Sequence, residues 1–280
     1  MPESIPLDAV RECLERSGYL LESKLVQALA DHGYFVEPNQ VIRDVRTGKS
    51  REIDIVAEYF DHVPDHERVC VKTYFIAEVI NNKYPVVLMT ERPYSPNENF
   101  EEYVKCGCTP DPNSFIESFD VYGDRGPNRH ELFSQYCALT PKRADKPELM
   151  ASHPDDMYGS LQKLAEYTEE QLNEFRNLEE EDSKVWRMIF WHPMLVLGGQ
   201  LIAVGTDADG SQKLREVTSS YLEFKWHEGA EKRTTLVEFV TTGEFLNRLA
   251  KRVRDDAAWQ VRLNALRKAH FAASPFIEDH

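Results

Sequence analysis

Apolar side chains recur at helical spacing early in the chain and then at alternate positions, a pattern that predicts helices followed by strands. Leu7 to Arg16 reads as a short helix and Leu20 to Asp31 as a second, with Leu25, Val26, Leu29 and Ala30 on its apolar face and Gly33 as its stop. Tyr34 to Arg43, Arg51 to Tyr59 and Thr73 to Ile80 read as three strands. The segment DVRTGKS suits a hairpin turn between the first two, FDHVPDHER is a polar link, and Pro85 closes the third region.

From about Glu91 to Pro154 the periodicity breaks up, with eight prolines and the segments CGC, NEN and GDRGPN between short apolar groups. The expectation is an irregular insertion or lid. Helical spacing returns from Asp156 to Leu178, and VWRMIFWHPMLVLGGQLIAVG then reads as two strands about Gly198 and Gly199, the second running back along the first. Another strand at Thr235 to Val240 leads to Thr241 and Glu244, spaced as a capping box before a C-terminal helix that reaches about Ala269. The resulting plan is a core in two parts, 1–90 and 155–247, an insertion at 91–154 and a C-terminal helical extension at 248–280.

Composition narrows the function classes. With 280 residues, 41% of them apolar, the chain can bury a substantial core. A net charge of -15 excludes a protein that coats nucleic acid with its whole surface, although a local basic surface is compatible with it. The start lacks a basic region followed by an apolar run, and the stretch from Met188 to Val204 is interrupted by His192, Pro193, Gly198, Gly199 and Gln200. Neither a signal peptide nor a membrane span is expected. Five cysteines without a framework spacing suit a reducing, cytoplasmic setting.

Three carboxylates stand where apolar residues would be ordinary. Glu22 is in helical line with Leu25, Val26 and Leu29, so it is either a boundary residue or a group with a partner in a cleft. In SREIDIVAEY, alternation puts Ile53, Ile55 and Ala57 on one strand face and Glu52, Asp54 and Val56 on the other. In YFIAEVI, Glu78 shares a face with Ile76 and Ile80 while Phe75, Ala77 and Val79 face the other way. Were the two strands adjacent and crossed by the first core helix, the three carboxylates would converge, and their repulsion would call for a proton or a hard cation such as Mg2+ or Mn2+. A purely structural network is the competing reading.

Over roughly residues 19 to 90 this order resembles the PD-(D/E)XK, or restriction-endonuclease-like, superfamily. Glu22 matches its helix acid, Asp54 in REIDIVA its strand aspartate, and Glu78 in FIAEVINNKYPVV the first residue of its last motif. The resemblance implies an α/β fold with a restriction-endonuclease-like mixed sheet flanked by helices, here with a large insertion. It also implies metal-dependent phosphodiester hydrolysis of nucleic acid, more DNA than RNA, with Glu22, Asp54 and Glu78 holding Mg2+ or Mn2+. One departure matters: where the motif has lysine this chain has Ile80, which cannot orient water or offset negative charge. Lys83 is the nearest catalytic replacement, although strand alternation alone sets it on the wrong face and only the Asn81-Asn82 bend would redirect it. Lys24, Lys49 and Lys163 are further substitutes. Loss of the lysine also leaves open a catalytically inactive nucleic-acid-binding or protein-assembly module, or a different metal-dependent hydrolase.

Gln162 and Lys163 lie on the later helix, where the resemblance implies contacts to phosphate or water; ordinary solvation is the alternative. Arg248 and Arg252 belong to the densest basic run, a nucleic-acid surface or a solvated helix face. Cys106, Cys108, His130 and Cys137 raise a zinc question, with free cysteines as the alternative. Partners would be nucleic acid and either a second copy as a homodimer or a partner protein, with no membrane.

Overall fold

A computed structural model describes residues 4–43, 48–62, 69–93, 104–109, 127, 131–142, 148–177, 186–207 and 209–273. Two helices open it, α1 (Leu7–Ser17) and α2 (Tyr19–Asp31), followed by β1 (Phe35–Arg43), β2 (Ser50–His62), β3 (Val69–Ile80) and β4 (Val86–Glu91). Next come β5 (Lys105–Thr109), β6 (Leu132–Pro141), β7 (Leu149–Ser152) and α3 (Asp155–Asn177). The chain then continues through β8 (Trp186–Leu197), β9 (Leu201–Thr206), β10 (Gln212–Val217), β11 (Ser219–Glu228), β12 (Glu231–Thr241) and α4 (Phe245–Ala273). The protein is thus α/β, a large mixed sheet flanked by four helices among the described residues. No described helix is long and apolar enough to cross a membrane.

The sheet runs β1-β2-β3-β8-β12-β11-β6-β4-β9-β10, with β5 also on β8 and β7 on β6. Strands β1, β2 and β3 pair antiparallel, as short polar links between alternating segments allow. After β3 the chain runs through β4 to β7 in the same sheet and through α3 before it returns as β8, parallel to β3. Each sheet face buries its own core. On one, Met157, Leu161, Leu164 and Phe175 of α3 pack with Val56, Ile76, Trp191 and Leu195. On the other, Leu25 and Leu29 of α2 and Phe245 and Leu249 of α4 pack with Ile55, Ala57, Phe75, Ala77, Met194 and Val196.

Several expectations need correction. The described part of 91–154 is not irregular, since β5, β6 and β7 all join the sheet. The strands about Gly198 and Gly199 do not form a hairpin: β8 lies between β3 and β12, and β9 between β4 and β10. The reason is local. The Gly198 N–H donates to the Ile80 carbonyl (2.8 Å) and the Gly199 N–H to Asn82 Oδ1 (3.0 Å), so the glycine turn is clasped by the bend after β3. A Cβ on Gly199 would lie 2.4 Å from the Asn82 carbonyl oxygen, so only glycine admits this approach. Strands β10 and β11 were not anticipated.

Alternation along β2 also breaks. Ile55 and Ala57 face α2 and α4, but Ile53 joins Val56 in the core under α3. The break coincides with Asp54, opposite which β1 places Asn39 with a left-handed φ of 54°, between the pairs Pro38–Ile55 and Gln40–Ile53. Asparagine tolerates that conformation better than most residues.

Candidate functional site

The β2–β3 ladder has its last registered pair at Ile55 and Ala77; one step further Asp54 comes opposite Glu78. There the Val79 N–H donates to Asp54 Oδ2 (2.8 Å), so a side chain takes the place of a strand carbonyl. This fork brings the two carboxylates together, and Glu78 points to the α3 face with Ile76, as its alternation predicts.

Lys163 of α3 closes the fork from that face. Its ammonium lies 2.5 Å from Glu78 Oε2 and donates to the Glu52 carbonyl at 2.9 Å. Ser160, one helical turn earlier, places a hydroxyl on the same carboxylate. Glu78 Oε1 is buried and has no protein partner. From the other side, the first turn of α2 sits over the ends of β3 and β8. A Cβ on Gly18 would meet Asn81 Cβ at 3.2 Å, one on Gly198 would meet Leu21 at 3.1 Å, and Asn81 Nδ2 donates to the Glu15 carbonyl at 2.6 Å. That seating places Glu22 in the field of Asp54 and Lys163.

Burial dominates the electrostatics. It pushes the Glu78 carboxyl up to about 7, aided by the Asp54 charge and opposed by Lys163 and Ser160. Burial also raises Asp54, against the Val79 N–H and Lys163, and it raises Glu22, with Asp54 adding to the effect. Burial thus disfavours the ionised form of all three carboxyls, and the Lys163 ammonium opposes it at each.

The structure therefore brings together Glu22, Asp54, Glu78 and Lys163. The ammonium set against Glu78 is that of Lys163, not of Lys83, which is exposed in the link after β3 with its Nζ 5.9 Å from the Tyr84 ring centre. Lys24 and Lys49 are exposed. Gln162 is held along α3 by a 2.6 Å bond to Glu166. Arg248 and Arg252, expected on a basic outer face, turn instead toward the sheet. Arg248 donates to Glu238 Oε1 and, at 2.7 Å, to the Tyr221 hydroxyl, while Arg252 is buried with two bonds of 3.2 Å to Glu238 Oε2. The buried Glu238 carboxylate needs this compensation, so both guanidiniums are drawn off the surface. Of the zinc candidates, Cys106 lies in β5 and Cys137 is a buried free thiol in β6, and His130 and the Cys108 side chain lie outside the described residues.

Ser160 and Glu238 escaped sequence reasoning. Glu238 carried the same signal as Glu78, an acid between Val237 and Phe239 in an apolar strand; Ser160 was visible only as the residue one turn before Lys163. Comparisons with family models, with curated proteins and with solved structures give no match to this chain.

Proposed function

We propose that the chain is a restriction-endonuclease-like phosphodiesterase that hydrolyses nucleic acid, DNA in preference to RNA, with Mg2+ or Mn2+. The observation that carries this reading is the ion pair between Lys163 and Glu78 beside Asp54, at a strand fork crossed by α2 and α3. The α2-β1-β2-β3 succession, antiparallel throughout, with α3 and a β8 parallel to β3 following after β4 to β7, supports the fold part of the proposal.

Among the described residues no group of three or more His, Cys, Asp or Glu is arranged to hold a metal. The donor set nonetheless suits Mg2+, which keeps most of its waters and is commonly bound through one or two carboxylates plus substrate phosphate. Asp54 and the unpartnered Glu78 Oε1 would provide those carboxylates, with Glu22 reaching through water. Such an ion supplies charge stabilisation at a phosphoryl group. The chain's own contribution is positional: Lys163, tethered to the Glu52 carbonyl, presents a fixed ammonium toward developing negative charge, the role Ile80 cannot perform.

One observation favours a second reading, a non-catalytic nucleic-acid-binding or assembly module: the Lys163 ammonium already neutralises Glu78 directly. Incubating labelled DNA and RNA substrates with Mg2+ or Mn2+, using the intact chain and Asp54→Ala, separates the two. Hydrolysis is expected with the intact chain and not with the variant. Equal cleavage by both would sink the site, and binding without cleavage would establish the module.

A further inference from the structure

Helix α1 carries an apolar stripe that joins neither core of the described residues. Leu7, Val10 and Leu14 follow one another at i, i+3 and i+7, the spacing of a helix–helix seam. Yet α1 buries no residue: Leu7 is 84% exposed, Val10 is exposed, Leu14 is half-buried, and Ile5, just before the helix, is 71% exposed. The helix is fastened at its C-terminal end, where Asn81 Nδ2 donates to the Glu15 and Arg16 carbonyls at 2.6 and 3.4 Å and Gly18 (φ 90°) turns the chain into α2. Its other end, with Ile5, Leu7 and Val10, stands in solvent. A helix this short gains little from its own hydrogen bonds, so an amphipathic face without a core to serve calls for a partner.

The charges beside the stripe decide what fits it. Asp8, Arg11 and Glu15, again at i, i+3 and i+7, run along one side of it and are exposed. A two-fold axis beside Glu12 sets a second α1 antiparallel on the first, with Val10 of one copy against Leu14 of the other. The same sides of the two helices then meet in reversed order, so Arg11 of each copy reaches Glu15 of the other, and one patch satisfies itself twice. A parallel pair would set Arg11 on Arg11 and Glu15 on Glu15. A bilayer is the poorer occupant, because helices that lie on membranes present a basic polar face. Here α1 has three acids against two arginines, on a chain of net charge -15.

We infer that α1 is a self-association surface that pairs two copies of this chain antiparallel through Leu7, Val10 and Leu14, with Arg11–Glu15 ion pairs along one side. One short helix from each copy makes a contact at the small end of specific interfaces, so a dissociation constant on the order of 10 μM is expected rather than nanomolar binding. The pairing uses residues separate from the Asp54–Glu78 fork and does not require the nuclease reading.

Sedimentation equilibrium of the full-length chain in reducing buffer, from about 1 to about 300 μM, should show a monomer passing to a dimer. Val10→Glu, Arg11→Glu and Glu15→Arg should each weaken association about tenfold or more, by placing a bare charge in the seam or like charges beside it. An equimolar mixture of Arg11→Glu and Glu15→Arg should instead associate at least as tightly as the unaltered chain, since every charge at these positions then meets its opposite. The three side chains are exposed, so the urea midpoint of dilute protein should stay in place and separate loss of pairing from loss of fold. A chain monomeric over the whole range, a dimer indifferent to Val10→Glu, or a mixture no tighter than either variant alone would overturn the inference. So would a monomer that sediments with phosphatidylserine-containing vesicles and loses that binding in Val10→Glu. Asp54→Ala should dimerise as the unaltered chain does, whether or not either cleaves nucleic acid.

Discussion

Lys163 and Glu78 meet at 2.5 Å although they are 85 positions apart, joining α3 to the end of β3. The contact gives a cation to a carboxylate that burial would otherwise keep protonated, and it places that cation beside Asp54. Replacing Lys163 by Met should lower stability by about 3 kcal/mol, because a buried carboxylate loses its partner. Glu78→Gln in the same chain should recover most of the loss, since a neutral amide no longer needs the ammonium. Urea unfolding of the two single variants and the double variant measures the coupling, and additive effects would disprove it.

Activity should respond differently. On the proposed function, Lys163→Met loses about 10²-fold or more in cleavage rate, the scale expected for a charge-stabilising group. Lys83→Met should leave the rate within about twofold, because its ammonium lies over Tyr84 and away from the fork. A larger fall for Lys83→Met than for Lys163→Met would reverse the assignment.

Glu78 and Glu238 both have carboxyls pushed up to about 7, chiefly by burial. The unfolded chain releases these protons near the ordinary value of 4.5, so between about 4.5 and 7 the folded state holds more protons. Stability should therefore fall as pH rises through that window, by up to about 1.4 kcal/mol per pH unit for each group, and flatten above it. Unfolding in EDTA from pH 5 to 8 should show the decline, and Glu78→Gln should reduce its slope.

Adding Mg2+ or Mn2+ should raise the midpoint of thermal unfolding, more at pH 8 than at pH 6, because proton and cation compete for the same oxygens. Asp54→Ala should abolish the effect. Calorimetric titration at both pH values supplies an independent reading, and equal cation binding by Asp54→Ala would refute the assignment.

Gly107 in β5 has no room for a methyl group: a Cβ there would lie 2.2 Å from Phe175 Cδ1. Gly107→Ala should destabilise the fold by about 1–3 kcal/mol by pushing α3 off β5. The urea midpoint should shift with little change in slope.

The two helices and the first three strands were legible because they rest on local signals: the apolar face of α2, the alternation in β3, and the stop at Gly33. The same periodicity exposed Asp54 and Glu78 as acids with no local reason to sit in apolar strands. It misassigned Ile53, because the break at Asp54 depends on Asn39 in the neighbouring strand. It also misread Arg248 and Arg252, since a charge run looks the same whether it faces water or a buried Glu238.

By itself, then, the sequence determined the first two helices, strands β1 to β3 and the acidic positions within them, all of which depend on residues within a turn or two of one another. Which strands pair, where β9 goes after the glycine turn, and which lysine answers Glu78 depend on segments brought together across long stretches of chain. Only tertiary structure decided these, because a buried charge is compensated by whichever group folding places within reach, not by the nearest one along the chain.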